Sequence, residues 1–469
     1  MGKTFDAPPH ILVIGSGITG LATAWVMLDE GYRVTIVSPP HASTFNNPTV
    51  DNKVGPGSIS HPRLTSQVAG ALWEYPPAVC GSHTNSLSLA YSKGWAMMSY
   101  QILKIFASQP MASGDDNGIR MRKSVFFFPR PLTDTTDCPL GGENCKVHAE
   151  SLKMEEMAES GVSGFRHSAD LIAEYAINPA MAKDAYELDV PVIDTDVAMP
   201  FLRNLVIFKG AVLVEETITG DLLTQEESLR KKYGDADVIV NASGIAAHEL
   251  ANDDTVYPLR GALIRVKNIG PGLPLNAALS ISADAAKMTA SDCNQRHNDD
   301  GSNEIVFIVP RSSDTIVLGG IAQPLPYLES TPNTVPADNP QLSLQMDSPV
   351  IQAMFDRCKS LFPALANAEL DEAYPLAQGL RPTRKAGVRV ERELRKLENG
   401  AHSRIIHSYG HGGSGWSLSF GCAFHVLLLV EETLKGEAPQ SMAKRWQMQE
   451  ETFDEMFRSD EGNLPRGND

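Results

Sequence analysis

The chain is poor in cysteine, with six in 469 residues, and no group of them has zinc-site or disulfide-framework spacing. Cys138 and Cys145 share a glycine-rich loop. Free thiols are the expectation, and no metal site is expected. Cationic residues are outnumbered as well: 40 Lys and Arg face 57 Asp and Glu, a formal net charge of −17. That balance repels nucleic acid and anionic membrane surfaces and excludes both as main partners. No apolar run approaches the roughly 18 residues of a membrane span. Val426 to Val430 reads instead as the buried face of a late helix. No basic-then-apolar leader precedes the first apolar run, so a cytoplasmic location is expected.

What is present is concentrated at the start. The run Ile11-Leu12-Val13-Ile14 leads into Gly15-Ser16-Gly17-Ile18-Thr19-Gly20 and then a helix-period pattern through Trp25 and Leu28 to Gly31. A second apolar run, Tyr32 to Val37, completes a strand, turn, helix, strand unit. Gly15 suits the tight turn, Gly17 lets a pyrophosphate approach the backbone, and Gly20 lets the helix pack closely. A dinucleotide site follows. The acidic residue that ordinarily ends the second strand and bonds the ribose is missing; Ser38 stands there with a weaker, uncharged hydroxyl. These first residues leave NAD and FAD open.

The rest has ordinary globular composition, 42% hydrophobic and 21% charged, and a length that suits two domains. Residues 41–63 read as a polar insertion. Thr65-Ser66-Gln67-Val68-Ala69-Gly70-Ala71-Leu72-Trp73 follows, with small residues and hydroxyls that let a backbone lie against a flat ligand. A strand is expected at Ser124–Phe128 within a long middle section. Two nucleotide-type strands follow, at 211–214 and 237–241, the second ending in Ala242-Ser243-Gly244. The sequon at Asn241 caps this strand and is read as a false lead. A strand at 259–266, a mobile polar loop at 285–303 and a hairpin at 305–310 and 315–320 come next. The chain closes on His407-Ser408-Tyr409-Gly410-His411-Gly412-Gly413-Ser414-Gly415-Trp416-Ser417 and a helix.

The expected fold is therefore α/β. A Rossmann-type domain is built from 1–75, 195–255 and 400–469, and a substrate domain with a mainly antiparallel sheet from 76–194 and 256–399.

The glycine turn, Ala69 to Trp73, Gly379-Leu380-Arg381-Pro382-Thr383-Arg384 and the late glycine-rich segment occur in the order seen in the D-amino-acid oxidase family. The chain resembles that family over nearly its whole length, with insertions at 41–63, around 130–165 and at 268–303. The resemblance implies FAD, held non-covalently, with Gly15, Gly17, Ile18 and Gly20 at the pyrophosphate and Thr65 and Ser66 as hydroxyl donors. It places the Ile218 backbone over the adenine, and Ala69, Gly70, Ala71 and Leu72 beside the flavin. Gly412, Gly413, Ser414, Gly415, Trp416 and Ser417 face the pyrimidine end of the ring, with Ser243 and Gly244 lining the cleft.

Oxidising an amine beside a carboxylate needs a flavin, a cation for the carboxylate and an apolar box holding the Cα–H. Arg381 is the expected carboxylate anchor, since a planar bidentate donor sets orientation as well as charge. Phe307, Leu72 and Gly413 complete the expected reacting site. Arg384, Arg389 and Arg392 read as a solvated face or as phosphate-side pairs, His411 as a hydrogen-bonded histidine rather than a base, and His61 and Arg63, which border the cofactor segment, as a solvated loop rather than phosphate contacts. Two tyrosines ordinarily line the family's pocket. Here Phe307 occupies one position without a hydroxyl, and no tyrosine occurs between Tyr257 and Tyr327. Ala322 stands where the D-aspartate branch carries an arginine, which argues against acidic side chains.

The implied activity is removal of hydride from the carbon of a C–N bond in a D-amino acid or related amine, with oxygen reduced to hydrogen peroxide. An oxidase of secondary or N-substituted amines and an inactive flavin-binding protein are the alternatives. Relatives often end in a peroxisomal tripeptide, whereas this chain ends Gly467-Asn468-Asp469, which keeps the cytoplasmic expectation.

Overall fold

The computed structural model describes residues 7–40, 63–77, 86–109, 116–133, 146–281, 305–327 and 343–447. His61, Cys138, Cys145 and the expected loop at 285–303 lie outside them, as does nearly all of the insertion at 41–63. The described strands are β1 (His10–Ile14), β2 (Arg33–Ser38), β3 (Ile119–Phe128), β4 (Arg166–His167), β5 (Asp184–Ile193), β6 (Val212–Glu215), β7 (Val238–Asn241), β8 (Val256–Lys267), β9 (Ala278–Ile281), β10 (Val306–Pro310), β11 (Thr315–Gly319), β12 (Gln323–Pro324), β13 (Leu376–Arg384), β14 (Arg389–Arg392) and β15 (Ile405–Tyr409).

Six of them form one sheet in the order β14-β15-β7-β1-β2-β6. All its pairings are parallel except β14 with β15. Ile11, Leu12 and Val13 are fully buried, as expected of a central parallel strand covered on both faces. The helix Ile18–Asp29 crosses from β1 to β2 and packs on the late helix Gly415–Lys435. That late helix is long and apolar enough to cross a membrane by length and composition, but 67% of its apolar stretch is buried inside the protein. Its apolar face is covered by the first helix and by the 23-residue helix Ser86–Ser108.

The other nine strands form a second sheet running β12-β8-β11-β10-β9-β3-β5-β4, with β13 paired to β8. It is antiparallel apart from β3 with β9. β14 belongs to the first sheet although it falls in the segment assigned to the substrate domain, because Arg389–Arg392 register antiparallel on β15. The chain crosses between the sheets repeatedly. That brings the turn after β1, the strap 65–72, the end of β13 and the start of the late helix to one place.

An elongated candidate active site between the two sheets

A cavity of about 390 Å³ runs from the turn after β1 to the face of the second sheet. At the nucleotide end Gly15 adopts φ +110°, and a Cβ on it would lie 2.4 Å from the Ala242 carbonyl oxygen. The turn therefore fits only as glycine. Gly17, Ile18 and Thr19 present the uncapped start of the first helix to the cavity, and Ser66 Oγ accepts the Ile18 N–H at 3.0 Å. Ser414, Gly415, Trp416 and Ser417 present the start of the late helix to the same space. Two helix N-termini thus turn their positive ends on one cavity, an arrangement that favours anionic or electron-rich ligand groups. Ser38, Ile218, Ser243, Gly244, Gly412 and Gly413 complete this half of the wall.

Gly20 does not line the cavity. A Cβ there would meet the Gly15 carbonyl oxygen at 2.0 Å, so its part is packing the helix onto the turn rather than touching a ligand. Thr65 lines the wall, but its hydroxyl donates to the Leu380 carbonyl at 2.8 Å, which removes it from the expected donors. The Asn241 side-chain oxygen accepts both the Ser243 N–H and its hydroxyl, and Asn241 is fully buried, so this sequon has no room for carbohydrate.

The strap 69–72 separates the two halves. Its carbonyls at Ala69 and Ala71 are taken by the Arg311 guanidinium and the Ile193 N–H, and that of Gln67 just before it by the Thr195 hydroxyl. Arg311 was not singled out in the sequence, where its one signal is its place just past strand β10. It is 3% exposed and sits beside Asp196, which also pairs with Arg63 at 2.6 Å and Arg265 at 2.9 Å. Burial opposes the Asp196 charge, yet Arg311, Arg265 and Arg63 together hold its carboxyl below the usual range. Arg63 is thus the half-buried edge of an ion cluster rather than part of a solvated loop, and its guanidinium covers the Tyr374 ring at 4.4 Å.

On the far side of the strap the Phe307 ring lies on Gly70, where a Cβ would be 2.4 Å from Phe307 Cε1. Arg381 is the one cationic side chain among the described residues lining the cavity. Its Nη1 donates to the Ile321 carbonyl at 2.9 Å, and its guanidinium lies flat on Gly261. Among the described residues no carboxylate is within ion-pair distance of it. The neighbouring arginines differ. Arg384 pairs with Asp253 at 2.7 Å, Arg389 with Glu391 at 2.8 Å, and Arg392 is buried and donates to the Glu437 carbonyl. They build an internal network beside β15 and do not line the cavity, which corrects both the solvated face and the phosphate-side pairs expected of them. Ala322 is buried outside the cavity wall, so it adds no room to the pocket. Tyr327 lines the wall but stacks on His248 beside Glu249, at the nucleotide end, and does not replace the missing pocket tyrosines.

His411 lines the cavity, is 3% exposed, and its Nε2 has no hydrogen-bond partner among the described residues. The expectation of a satisfied histidine is corrected: within the protein it is not. The same is true of the Ser408 and Ser414 hydroxyls in this half of the cavity. Buried polar atoms left over in a nucleotide-shaped wall are the positions a bound dinucleotide satisfies, so the residues present fit FAD.

Burial holds His407, His411 and His425 each down at about 4. The unfolded chain takes up these protons near pH 6.5 and the folded chain only near pH 4. Stability is therefore full above 6.5 and falls as pH drops through that window. Melting temperatures recorded from pH 7 to 4.5 are expected to decline steadily from about 6.5. A flat profile across that range would refute the neutral burial of these rings.

A parallel nucleotide sheet with a glycine turn, joined to an antiparallel sheet across a cavity that fits a dinucleotide, defines an FAD-dependent oxidoreductase. Residues 148–427 match the family profile described as FAD dependent oxidoreductase, DAO. The chain belongs to this D-amino-acid oxidase family. A Rubrobacter xylanophilus protein named D-amino-acid oxidase is 28% identical over 427 residues, covering 90% of this chain and 96% of its own. The solved glycine oxidase of Bacillus cereus superposes with a TM-score of 0.58 at 16% identity, over 92% of this chain and 99% of that one. The L-alpha-glycerophosphate oxidase of Mycoplasma pneumoniae, solved with FAD bound, gives 0.57 at 15% identity over 90% and 95%. At such identities the structural likeness carries the fold alone.

Proposed function

We propose that the protein oxidises the Cα–N bond of D-amino acids with neutral side chains larger than that of alanine. The observation that carries this reading is Arg381, a cavity-lining guanidinium with no carboxylate of its own, set on the same wall as the apolar Phe307 and Leu263. Loss of hydride from Cα and a proton from nitrogen converts the amine to an imine that water hydrolyses to keto acid and ammonia; FAD, when bound, would supply the two-electron acceptor, with oxygen as the final oxidant giving hydrogen peroxide.

The chain's own residues bind and orient. Arg381 receives the carboxylate as a planar donor, with the Ile321 carbonyl keeping its fork from swinging. Phe307, stacked on Gly70, and Leu72 in the strap exclude water from the reacting carbon. Among the described residues Arg381 is the one charged carboxylate contact in this wall, and Phe307 adds no hydroxyl. Small substrates therefore have little else to hold them, and side-chain burial supplies the remainder of the affinity.

The cofactor is held without a covalent bond in this reading. Acid denaturation of the yellow protein is expected to release flavin into the supernatant, and colour that stays with the pellet would count against it. Mixed anaerobically with D-, L- and N-methyl amino acids, the holoenzyme is expected to bleach with D-leucine faster than with D-alanine or D-aspartate. Bleaching by N-methyl substrates alone would transfer the assignment to the secondary-amine oxidases.

A further inference from the structure

The strap 69–72 does not keep its shape by its own preference. Ala71 sits at φ +51°, left-handed backbone that a residue with a Cβ seldom adopts. Contacts on either side of that residue impose it. The Ala71 carbonyl accepts the Ile193 N–H, one rung of a short backbone bridge to β5 that the Trp73 N–H completes on the Pro191 carbonyl. The Ala69 carbonyl is held instead by one side chain, through Nη2 of Arg311.

Arg311 follows β10 directly, four residues after Phe307, so the strand's alternation sends both side chains to the same face. They meet neighbouring strap residues, Phe307 at Gly70 and Arg311 at Ala69. The Arg311 side chain is buried, its Nη1 faces Asp196 at 3.8 Å, and its Nε has no hydrogen-bond partner among the described residues. Asp196 is already matched at shorter distance by Arg63 and Arg265. Buried ion pairs can commonly be replaced by apolar side chains without loss of stability, so the fold itself does not require this guanidinium.

What Arg311 does set is the direction of a peptide. The C=O and N–H of a trans peptide unit point opposite ways, so holding the Ala69 carbonyl turns the Gly70 N–H away from Arg311. Gly70 lines the cavity and Arg311 does not, which places that N–H on the cavity side. The bridge to β5 does the same for the Leu72 N–H. Neither N–H has an acceptor among the described residues.

We infer that Arg311 is a positioning residue for the cofactor: by holding the Ala69 carbonyl it keeps the Gly70 N–H presented to bound FAD as a hydrogen-bond donor. This rests on bound FAD placing its flavin against the strap, and it does not depend on which substrate is oxidised. A donor fixed at an electron-accepting ring stabilises the charge of the reduced form, so loosening it lowers the reduction potential.

In Arg311→Met, Asp196 keeps its pairs with Arg63 and Arg265, and the protein is expected to fold. The two-electron potential of its bound flavin, read by titration against a redox dye, should fall by about 30 mV, a tenfold change in the reduction equilibrium. The visible flavin bands should shift with it. Arg311→Lys, which keeps the charge and one donor group, should lie between parent and Met. A lowered melting temperature with the parent potential and spectrum would assign Arg311 to the ion cluster alone and overturn the inference. If Arg311→Met yields no folded holoprotein, Arg311→Lys decides, and a parent potential there would overturn it.

Gly70→Ala tests the premise separately, since its new Cβ would lie 2.4 Å from Phe307 Cε1 and the strap must move. If that variant shifts the potential and Arg311→Met does not, the inference fails alone. If neither does, the flavin does not lie against the strap, and the placement fails with the inference.

Discussion

Replacing Arg381 by Met is expected to leave a folded, yellow protein whose reduction by carboxylate substrates is weakened by roughly two to three orders of magnitude. Methionine keeps most of the length of the side chain and none of its charge. The fold tolerates this because Arg381 holds no ion pair among the described residues; its guanidinium donates to the Ile321 and Arg260 carbonyls and lies on the surface of Gly261. A substrate carboxylate brought into the cavity without a guanidinium is desolvated and unpaired, which costs about 2–5 kcal/mol, or about tenfold in affinity per 1.4 kcal/mol. Anaerobic stopped-flow reduction at varied substrate concentration separates the two parameters: the apparent dissociation constant should rise far more than the limiting rate falls. Reduction at the parent rate and affinity would show that the anchor lies elsewhere or that the substrate carries no carboxylate.

The second large effect is expected at the nucleotide turn. In Gly15→Ala the new methyl meets two obstacles at once, a backbone at φ +110° and the Ala242 carbonyl oxygen at 2.4 Å. Neither is a side chain that can swing aside, so the turn between β1 and the first helix must shift away from β7. Left-handed backbone costs a non-glycine residue about 1–2 kcal/mol and overpacking about 1–3 kcal/mol more. The shift falls on the backbone that lines the nucleotide end of the cavity, where we propose the pyrophosphate lies, and FAD affinity is expected to drop about a hundredfold or more. Titrating apoprotein with FAD and following the quenching of flavin fluorescence measures this directly. Far-UV circular dichroism should remain near that of the parent, since β1 and the helix keep their apolar faces. Parent-like FAD affinity in the variant would remove the turn from the cofactor site.

Much of the architecture was open to reading because it is local. The unit from Ile11 to Val37 needs only contiguous residues with the right period and two glycines, and the hairpin of β10 and β11 announces itself by two short apolar runs around a polar turn. β5 was missed for an equally local reason. Asp184, Glu187 and Asp189 interrupt its apolar pattern, although Asp184 bonds His167 and Glu187 is held by Arg166 and the Tyr175 hydroxyl, so that charged residues are buried in a strand. The same blindness made Arg384, Arg389 and Arg392 look solvated. Their carboxylate and carbonyl partners are supplied by the loop at Asp253, by Glu391 and by Glu437.

By itself, then, the sequence determined the kind of cofactor turn, the interleaving of the two sheets and the residue types along much of the cavity wall, because strand and turn preferences act over a few neighbouring residues. Tertiary structure decided what each polar group does. Whether Arg381 is spent on an ion pair, whether the Thr65 hydroxyl is free, and whether Arg311 reaches the Ala69 carbonyl all depend on segments far apart in the chain meeting in one register. Hydrogen bonds form or fail over fractions of an ångström, and no periodicity in the sequence carries distance at that scale.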